Sequence, residues 1–241
     1  MKDTWENFLA NYNMRPIIFL GSSQQIWEFL EVCDRTGQVP VGIIDKDYYG
    51  NTASIEGIPY IGAEDAVDFA ELKKDHDFFV GISYLPPPYP GRNKERRQMF
   101  IDIVDQFDLP CANILDPDSR VYRGAKLGKG IFMAYTSVVG AYAQIGDHTQ
   151  LLGASGVGHH AVIGKNVMLQ RQSGVISTAK VGDNVYFCIG ARGLKPDNLI
   201  IGSDSLIHPG VTVMRDVEPG EVVSLAGKNR KKIYDTVVDY D

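Results

Sequence analysis

From Leu115 onward an apolar residue recurs at every sixth position: Val121, Leu127, Met133, Val139, Ile145, Leu151, Val157, Ile163, Leu169, Val175, Val181 and Phe187. Apolar residues make up 44% of the chain, so an unbroken run of this length arises by chance at a frequency of about 10⁻⁵ for a given phase. Glycine often follows the apolar position, as at Gly128, Gly140, Gly146, Gly158, Gly164 and Gly182. Four residues after the apolar position stand mostly small or β-branched side chains, from Ser137 and Ala143 to Val185 and Ala191. Helices repeat every 3.6 residues and simple strands every 2, so neither sustains this period. A parallel β-helix does, because each hexad builds one flat face and one corner. The register is expected to fail at Gly193, with two extra residues bulging near 193–198. It resumes at Ile201, Ile207 and Val213 and ends beyond them. Such a stack buries its apolar column but leaves flat sides, which self-association would cover.

The first half has a different grammar. Glycine numbers 8 in residues 1–120 and 17 in 121–241, whereas all but two of the glutamates, Glu218 and Glu221, precede residue 121. Apolar runs at 16–20, 41–44, 78–82 and 111–115 predict strands. Helical stripes at 26–36, 63–74 and 93–107 predict helices between them. Strands alternating with helices make a small Rossmann-like parallel sheet. Trp5, Phe8, Leu9 and Tyr12 fit one face of an additional N-terminal helix. The expected organisation is an α/β domain over 1–114, a β-helix over 115–225 and a tail over 226–241.

Several function classes are excluded at this level. The formal charge of −6 argues against phosphate-backbone binding, which needs a basic face. No apolar run reaches the roughly 18–20 residues of a membrane helix, and the first fifteen residues lack the apolar core of a signal peptide. Three widely spaced cysteines, Cys33, Cys111 and Cys188, suit a reducing compartment, so a cytoplasmic location is expected.

In an open parallel sheet, ligands bind at the carboxyl ends of the strands. Those ends are Gly21, Ser22 and Ser23, then Asp45, then the segment after Gly81. The amides of Ser22, Ser23 and Gln24 suit a phosphate at a helix N-terminus, and Asp45 suits hydrogen bonds from a ribose or base. Equally, Ser23 suits a helix cap and Asp45 the start of a turn. The proline-rich loop 85–92 lies at the same end of the sheet. In the second half, His159 and His160 occupy a corner of the hexad at 157–162. With three hexads per coil, Ser177 lies one coil away, about 4.8 Å along the stack. A corner histidine beside a backbone amide pairs a general base with an oxyanion donor, although a solvated turn residue has the same spacing. His148 is out of that register, so no metal site is expected. Cys188 reads as a buried small residue.

Together, IIFLGSSQQI, VGIIDKD, DFFVGIS and then GHHAVIGKNV on hexapeptide coils resemble the nucleotide-sugar N-acetyltransferases of the bacillosamine and perosamine type and the related sialic acid O-acetyltransferases. The resemblance spans about residues 15–225. It implies a homotrimer of left-handed β-helices, acetyl-CoA lying between subunits, and an N-terminal domain that holds the nucleotide of the acceptor sugar. By position it makes His159 the catalytic base and puts the Ser177 amide at the acetyl oxygen. Gly21, Ser22, Ser23, Gln24 and Gln25 fall near the phosphates, and Asp45 and Lys46 on the nucleotide base. Coenzyme contacts fall at Ser177, Ala191 and Lys228. The chain departs from the family at several positions. His160 replaces the acid that usually orients the base, a role that a neighbouring imidazole is not expected to fill. Gln25 and Leu152 replace a histidine and an asparagine near the sugar, and AGKNRKK replaces the usual C-terminal element. The expected reaction is acetyl transfer to the exocyclic amine of a nucleotide-linked 4-amino-4,6-dideoxy sugar. A hydroxyl acceptor, or a trimeric scaffold without catalysis, is the alternative.

Overall fold

The computed structural model describes residues 14–84, 93–224 and 230–231. The expected N-terminal helix, the loop 85–92 and Lys228 lie outside the described residues. The first domain is a five-stranded sheet in the order β3-β4-β2-β1-β5. Strands β1 (Ile17–Leu20), β2 (Pro40–Ile44), β4 (Ile58–Gly62) and β5 (Asp77–Val80) are parallel. The chain passes from β1 outward to β2 on one side and later to β5 on the other, so the strand order reverses at β1. Helix α1 (Ile26–Thr36) covers one face, where Phe29 packs with Phe19 and Phe79. Helix α3 (Asn93–Phe107) covers the other, with Phe100 and Val104 against Ile18, Leu20 and Phe78.

Three details of the sequence reading change. The stretch 63–74 forms only the short α2 (Phe69–Leu72), because the Asp68 side chain accepts from the Glu71 amide and starts the helix late. A hairpin of β3 (Ser54–Ile55) with β4 was not anticipated. Its turn residues Glu56 and Gly57 both have positive φ, 47° and 80°. Finally, the run 111–115 is shared between the domains. Cys111 bridges Phe78, while β6 (Ile114–Leu115) joins the β-helix by pairing with β9 (Phe132–Met133).

From β6 onward, two-residue strands alternate with corners around three parallel faces of eight, six and five strands. The first face carries β6, β9, β12 (Gln150–Leu151), β15 (Met168–Leu169), β18 (Tyr186–Phe187), β21 (Leu206–Ile207) and β23 (Glu221–Val223), with β24 (Arg230–Lys231) antiparallel at its end. The second carries β7 (Arg120–Val121), β10 (Val138–Val139), β13 (Gly156–Val157), β16 (Gly174–Val175), β19 (Arg192–Gly193) and β22 (Thr212–Val213). The third carries β8 (Lys126–Leu127), β11 (Gln144–Ile145), β14 (Val162–Ile163), β17 (Lys180–Val181) and β20 (Ile200–Ile201). The register is 18 residues per coil, as in Val139 opposite Val157 opposite Val175.

The hexad's turn chemistry is uniform. One corner residue of each hexad has a left-handed backbone, including Thr136, Tyr142, His148, Ala154, His160, Asn166, Gln172, Thr178 and Asn184, with φ between 53° and 63°. Such a residue costs on the order of 1 kcal/mol or more when it is not glycine. The offset is a hydrogen bond to the previous coil: the His160 amide reaches the Ala141 carbonyl and the Thr178 amide reaches that of His159, both at 2.9 Å. Glycine after the apolar position answers a packing need. A Cβ on Gly140 would stand 2.6 Å from the His159 nitrogen, and one on Gly158 would stand 2.2 Å from the Ser177 nitrogen.

The expected break in register is corrected in two places. Gly193 keeps its place in the ladder, opposite Val175 and Val213. Leu199 fills the space its missing side chain leaves, since a Cβ there would meet the leucine at 2.6 Å. The two extra residues follow it, so that Lys180 pairs with Ile200. The column also continues past Val213, with Val217 bridging Ile201 and Val223 opposite Ile207.

The first face is buried beneath the N-terminal domain. Phe132 meets Phe29 edge-on at 4.7 Å, and Tyr84 lies over Tyr186 at 5.2 Å. The corner on one side of that face is gripped by Arg97. Its guanidinium is 1% exposed and donates to Asn166 Oδ1 at 2.7 Å and to the carbonyls of Ile82 and His148. Burial lowers its pKa to about 10, which leaves it charged at neutral pH. His148, beside it, is also buried, and neither ring nitrogen has a hydrogen-bond partner among the described residues. No helix among the described residues is long and apolar enough to cross a membrane.

Burial, and then the Arg97 charge, lowers the His148 pKa from 6.5 to about 3. The unfolded chain therefore binds a proton below pH 6.5 that the folded chain refuses, and stability falls as pH drops from about 6.5 toward 3. We expect urea midpoints to decline over that window, and to decline less steeply in His148→Asn, which suits the left-handed backbone. Parallel pH profiles for the two proteins would show that His148 is not the group responsible.

Candidate functional site

The expected site residues fall in two regions. The first is the crevice at the reversal of strand order, outside the carboxyl ends of β1 and β5. Gly21 turns the chain at φ 73°, where a Cβ would collide with Phe100 and Ile82 within 2.7 Å. Ser23 is not the side-chain cap of α1. Its hydroxyl donates to the Gly81 carbonyl at 3.1 Å and accepts from the Ser83 amide at 3.0 Å, which ties the two loops across the crevice. The Ser23 and Gln24 amides, just ahead of α1, donate to no group among the described residues. Gln25 precedes the helix without a side-chain capping bond.

Asp45 is more occupied than the sequence implies. It is 1% exposed and accepts from the Ser22 amide at 2.9 Å and the Asp47 amide at 3.2 Å. Both of its oxygens also receive Arg96 Nη2 at 2.7 Å. The Ser22 hydroxyl reaches Asp45 and the Tyr60 hydroxyl. Asp45 thus brackets Ser22 and Arg96, and it has no free face for a nucleotide base in this arrangement. Lys46 is exposed and rests near Glu64 at 3.7 Å. Arg96 and Tyr60 were missed. Arg96 was hidden in a helix read only as charged and amphipathic, where nothing in the spacing marks one arginine as turned toward Asp45.

The second region is the corner between the second and third faces. His159 and His160 are both exposed there, with their Nδ1 atoms 3.0 Å apart and their rings perpendicular. His160 stacks on Tyr142 of the previous coil, at 5.2 Å between centroids. Ser177 stands on the next coil, and its amide donates to no group among the described residues. Its carbonyl accepts from the Thr178 hydroxyl. Beside this corner a groove of about 410 Å3 runs across the second face. Gly156 and Gly174 occupy outward strand positions there and leave its floor without side chains, while Val138, Gln172, Arg192 and Leu194 form its walls. Gly158 belongs to both groove and corner. Arg192 at the rim is an exposed cation that the repeat pattern did not single out. Ala191 does not face the groove. Its side chain is fully buried in the apolar column, its amide bonds to Cys188 and its carbonyl accepts from Gly174.

The two regions do not meet within one chain. The N-terminal domain covers the first face and grips both of its corners, through Arg97 at His148 and Asn166 on one side and Arg35 at Asp116 and Asp118 on the other. The His159 corner is the third corner of the prism, across from that face. Among the described residues no three His, Cys, Asp or Glu side chains converge on a metal position.

No protein-family model matches the chain, and no curated protein sequence matches it. Solved structures do. A histidine-to-asparagine mutant of perosamine N-acetyltransferase from Caulobacter crescentus, in complex with CoA and GDP-perosamine, is similar with a TM-score of 0.77 and 20% identity, covering 90% of this chain and 97% of that one. The acetyltransferase domain of PglB from Neisseria gonorrhoeae gives 0.74 and 18%, covering 90% and 100%. WeeI from Acinetobacter baumannii gives 0.70 and 18%, covering 89% and 98%. Over almost its whole length, the chain shares the fold of these proteins, a small α/β domain seated on a hexapeptide β-helix.

Proposed function

We propose that the protein is an N-acetyltransferase that moves the acetyl group of acetyl-CoA to the exocyclic amine of a nucleotide-linked 4-amino-4,6-dideoxy sugar. The observation that carries this reading is the His159 corner. An accessible imidazole, an unused backbone amide one coil away and a groove floored by glycines lie together on one edge of the β-helix. The fold neighbours captured with CoA and GDP-perosamine support the same substrate classes.

In this mechanism His159 Nε2 accepts a proton from the amine as its nitrogen attacks the thioester carbonyl. The new C–N bond puts negative charge on the carbonyl oxygen, which the Ser177 amide receives. Collapse breaks the C–S bond. The leaving thiolate takes the proton held by His159, and the base is restored. The groove over Gly156 and Gly174 suits a narrow chain such as pantetheine, with Arg192, and Lys228 of the C-terminal tail, supplying positive charge for the coenzyme phosphates. In the other region, the Ser23 and Gln24 amides and Arg96 suit the acceptor's diphosphate, with Gln25 and Lys46 at the margins. Use of acetyl-CoA, and three cysteines with no disulfide among them, fit a cytoplasmic enzyme.

The separation of the two regions makes assembly part of the site. An acceptor held by the crevice of one chain reaches a His159 corner only if that corner belongs to another copy. A closed ring of three, with crevice and corner meeting at each interface, satisfies this and covers the exposed apolar residues Val162 and Ile200 of the third face.

Release of coenzyme A from acetyl-CoA with UDP-, dTDP- and GDP-linked 4-amino-4,6-dideoxy sugars tests the chemistry. Turnover with one acceptor is expected, and His159→Ala should lose at least about a hundredfold while keeping its oligomeric state. Full turnover in that variant would remove His159 from the mechanism. No release across the panel, with acetyl-CoA still bound, would favour a hydroxyl acceptor. Loss of acetyl-CoA binding altogether would favour a scaffold.

Assembly has its own test. His159→Ala and Arg96→Ala should each be nearly inactive alone. Co-expressed, they should regain activity at about a quarter of the sites by random mixing around a ring. Failure to recover any would place crevice and base in the same chain.

A further inference from the structure

We infer that His160 is the positioning residue for His159, acting as an imidazole acceptor that fixes the ring's tautomer and supports its charged form. This rests on the proposed acetyl transfer for its kinetic consequence but not for its geometry. Two Nδ1 atoms 3.0 Å apart need one hydrogen between them, so one ring is the donor and the other the acceptor. If His159 donates, its Nε2 carries a lone pair and is a base. If His160 donates, the hydrogen of His159 sits on Nε2 and the base is lost. Proton uptake by His159 removes the ambiguity, because an imidazolium donates from both nitrogens. Only the arrangement with His160 as acceptor is compatible with that state. The neutral Nδ1···Nδ1 hydrogen bond then becomes charge-assisted at the moment His159 holds the acceptor's proton.

The fold places His160 for this task. Its backbone is left-handed at φ 57°, a conformation in which histidine is enriched among non-glycine residues. Its ring stacks on Tyr142, with an interplanar angle of 29°. Tyr142 in turn lies over Gly124, where a Cβ would stand 2.4 Å from the phenol ring. Three successive coils thus supply a glycine bed, an aromatic support and the acceptor ring. A carboxylate at this position would accept without needing the support. An imidazole must be held edge-on to His159, and the perpendicular rings meet that requirement. This inference runs against the expectation that a neighbouring imidazole does not replace the acid.

The test pairs a structural readout with a kinetic one. In protein labelled with ¹⁵N-histidine at pH 8, with His159 assigned by comparison with His159→Gln, wild-type His159 should show substantial Nδ1–H character. His160→Phe keeps a ring for Tyr142 but has no acceptor, so His159 should revert to the Nε2–H tautomer favoured by free imidazole. Its kcat should fall about tenfold or more, the scale of a lost charge-assisted hydrogen bond. His160→Gln restores an acceptor oxygen, and it should recover the Nδ1–H tautomer and most of that loss. An unchanged tautomer in His160→Phe overturns the inference, whatever the activity. So does an unchanged kcat in that variant alongside an active wild type. If the tautomer responds as expected but no acceptor is ever acetylated, the positioning role stands and the proposed reaction falls.

Discussion

Each coil of the β-helix is bound to the next by backbone hydrogen bonds that recur at a separation of about 18 residues, at corners as well as along strands. The corner bonds decide the architecture. They let a left-handed residue appear once per hexad in side chains as different as tyrosine, histidine, alanine and glutamine, because the amide of each of these gains a partner on the previous coil. Removing a Cβ at Gly140 and Gly158 lets adjacent coils come within stacking distance at the His159 corner. His159 and Ser177 are therefore neighbours for the same reason that the prism closes.

A three-faced prism imposes a constraint on the rest of the molecule. One face is taken by the N-terminal domain, through Phe132 and Tyr186 and through the buried guanidinium of Arg97. A buried arginine with four oxygen acceptors, and no carboxylate among its hydrogen-bond partners in the described residues, stabilises the junction only while every acceptor is in place. It demands a fixed register between sheet and β-helix. Its chain neighbour Arg96 points the other way and holds Asp45 and Asp47. One turn of α3 therefore sets both the domain junction and the edge of the crevice, and the crevice cannot tilt freely with respect to the coils.

How far the sequence reveals this depends on whether the determinants are periodic. The apolar column is, and Val139, Val157 and Val175 stack as their spacing says. Gly193 and Val217 escaped because the core accepts local compensation: Leu199 fills the space left by the glycine, and a shortened coil brings Val217 under Ile201. The crevice was legible in outline from glycine and serine at a strand end. The partners were not. Whether Ser23 caps a helix or bridges two loops depends on Gly81 and Ser83, about sixty residues away. Whether Asp45 faces a ligand depends on an arginine in another helix. Ala191 stands on a hexad position that spacing alone turns inward, and its side chain is buried in the column.

The doublet of histidines shows where local rules stop and contact geometry begins. A left-handed corner is not itself a sign of function here, since Thr136 and Asn184 adopt the same backbone outside both regions. Sequence adjacency is no sign either, because neighbouring corner side chains ordinarily diverge. What separates His160 from those two is that its ring is constrained from two sides, by Tyr142 below and by His159 beside it. A solvated turn residue would gain nothing from that ordering and would lose side-chain entropy. The stacked support of Gly124 and Tyr142 orders the ring, and among the described residues the His160 Nδ1 is paired with the imidazole of His159.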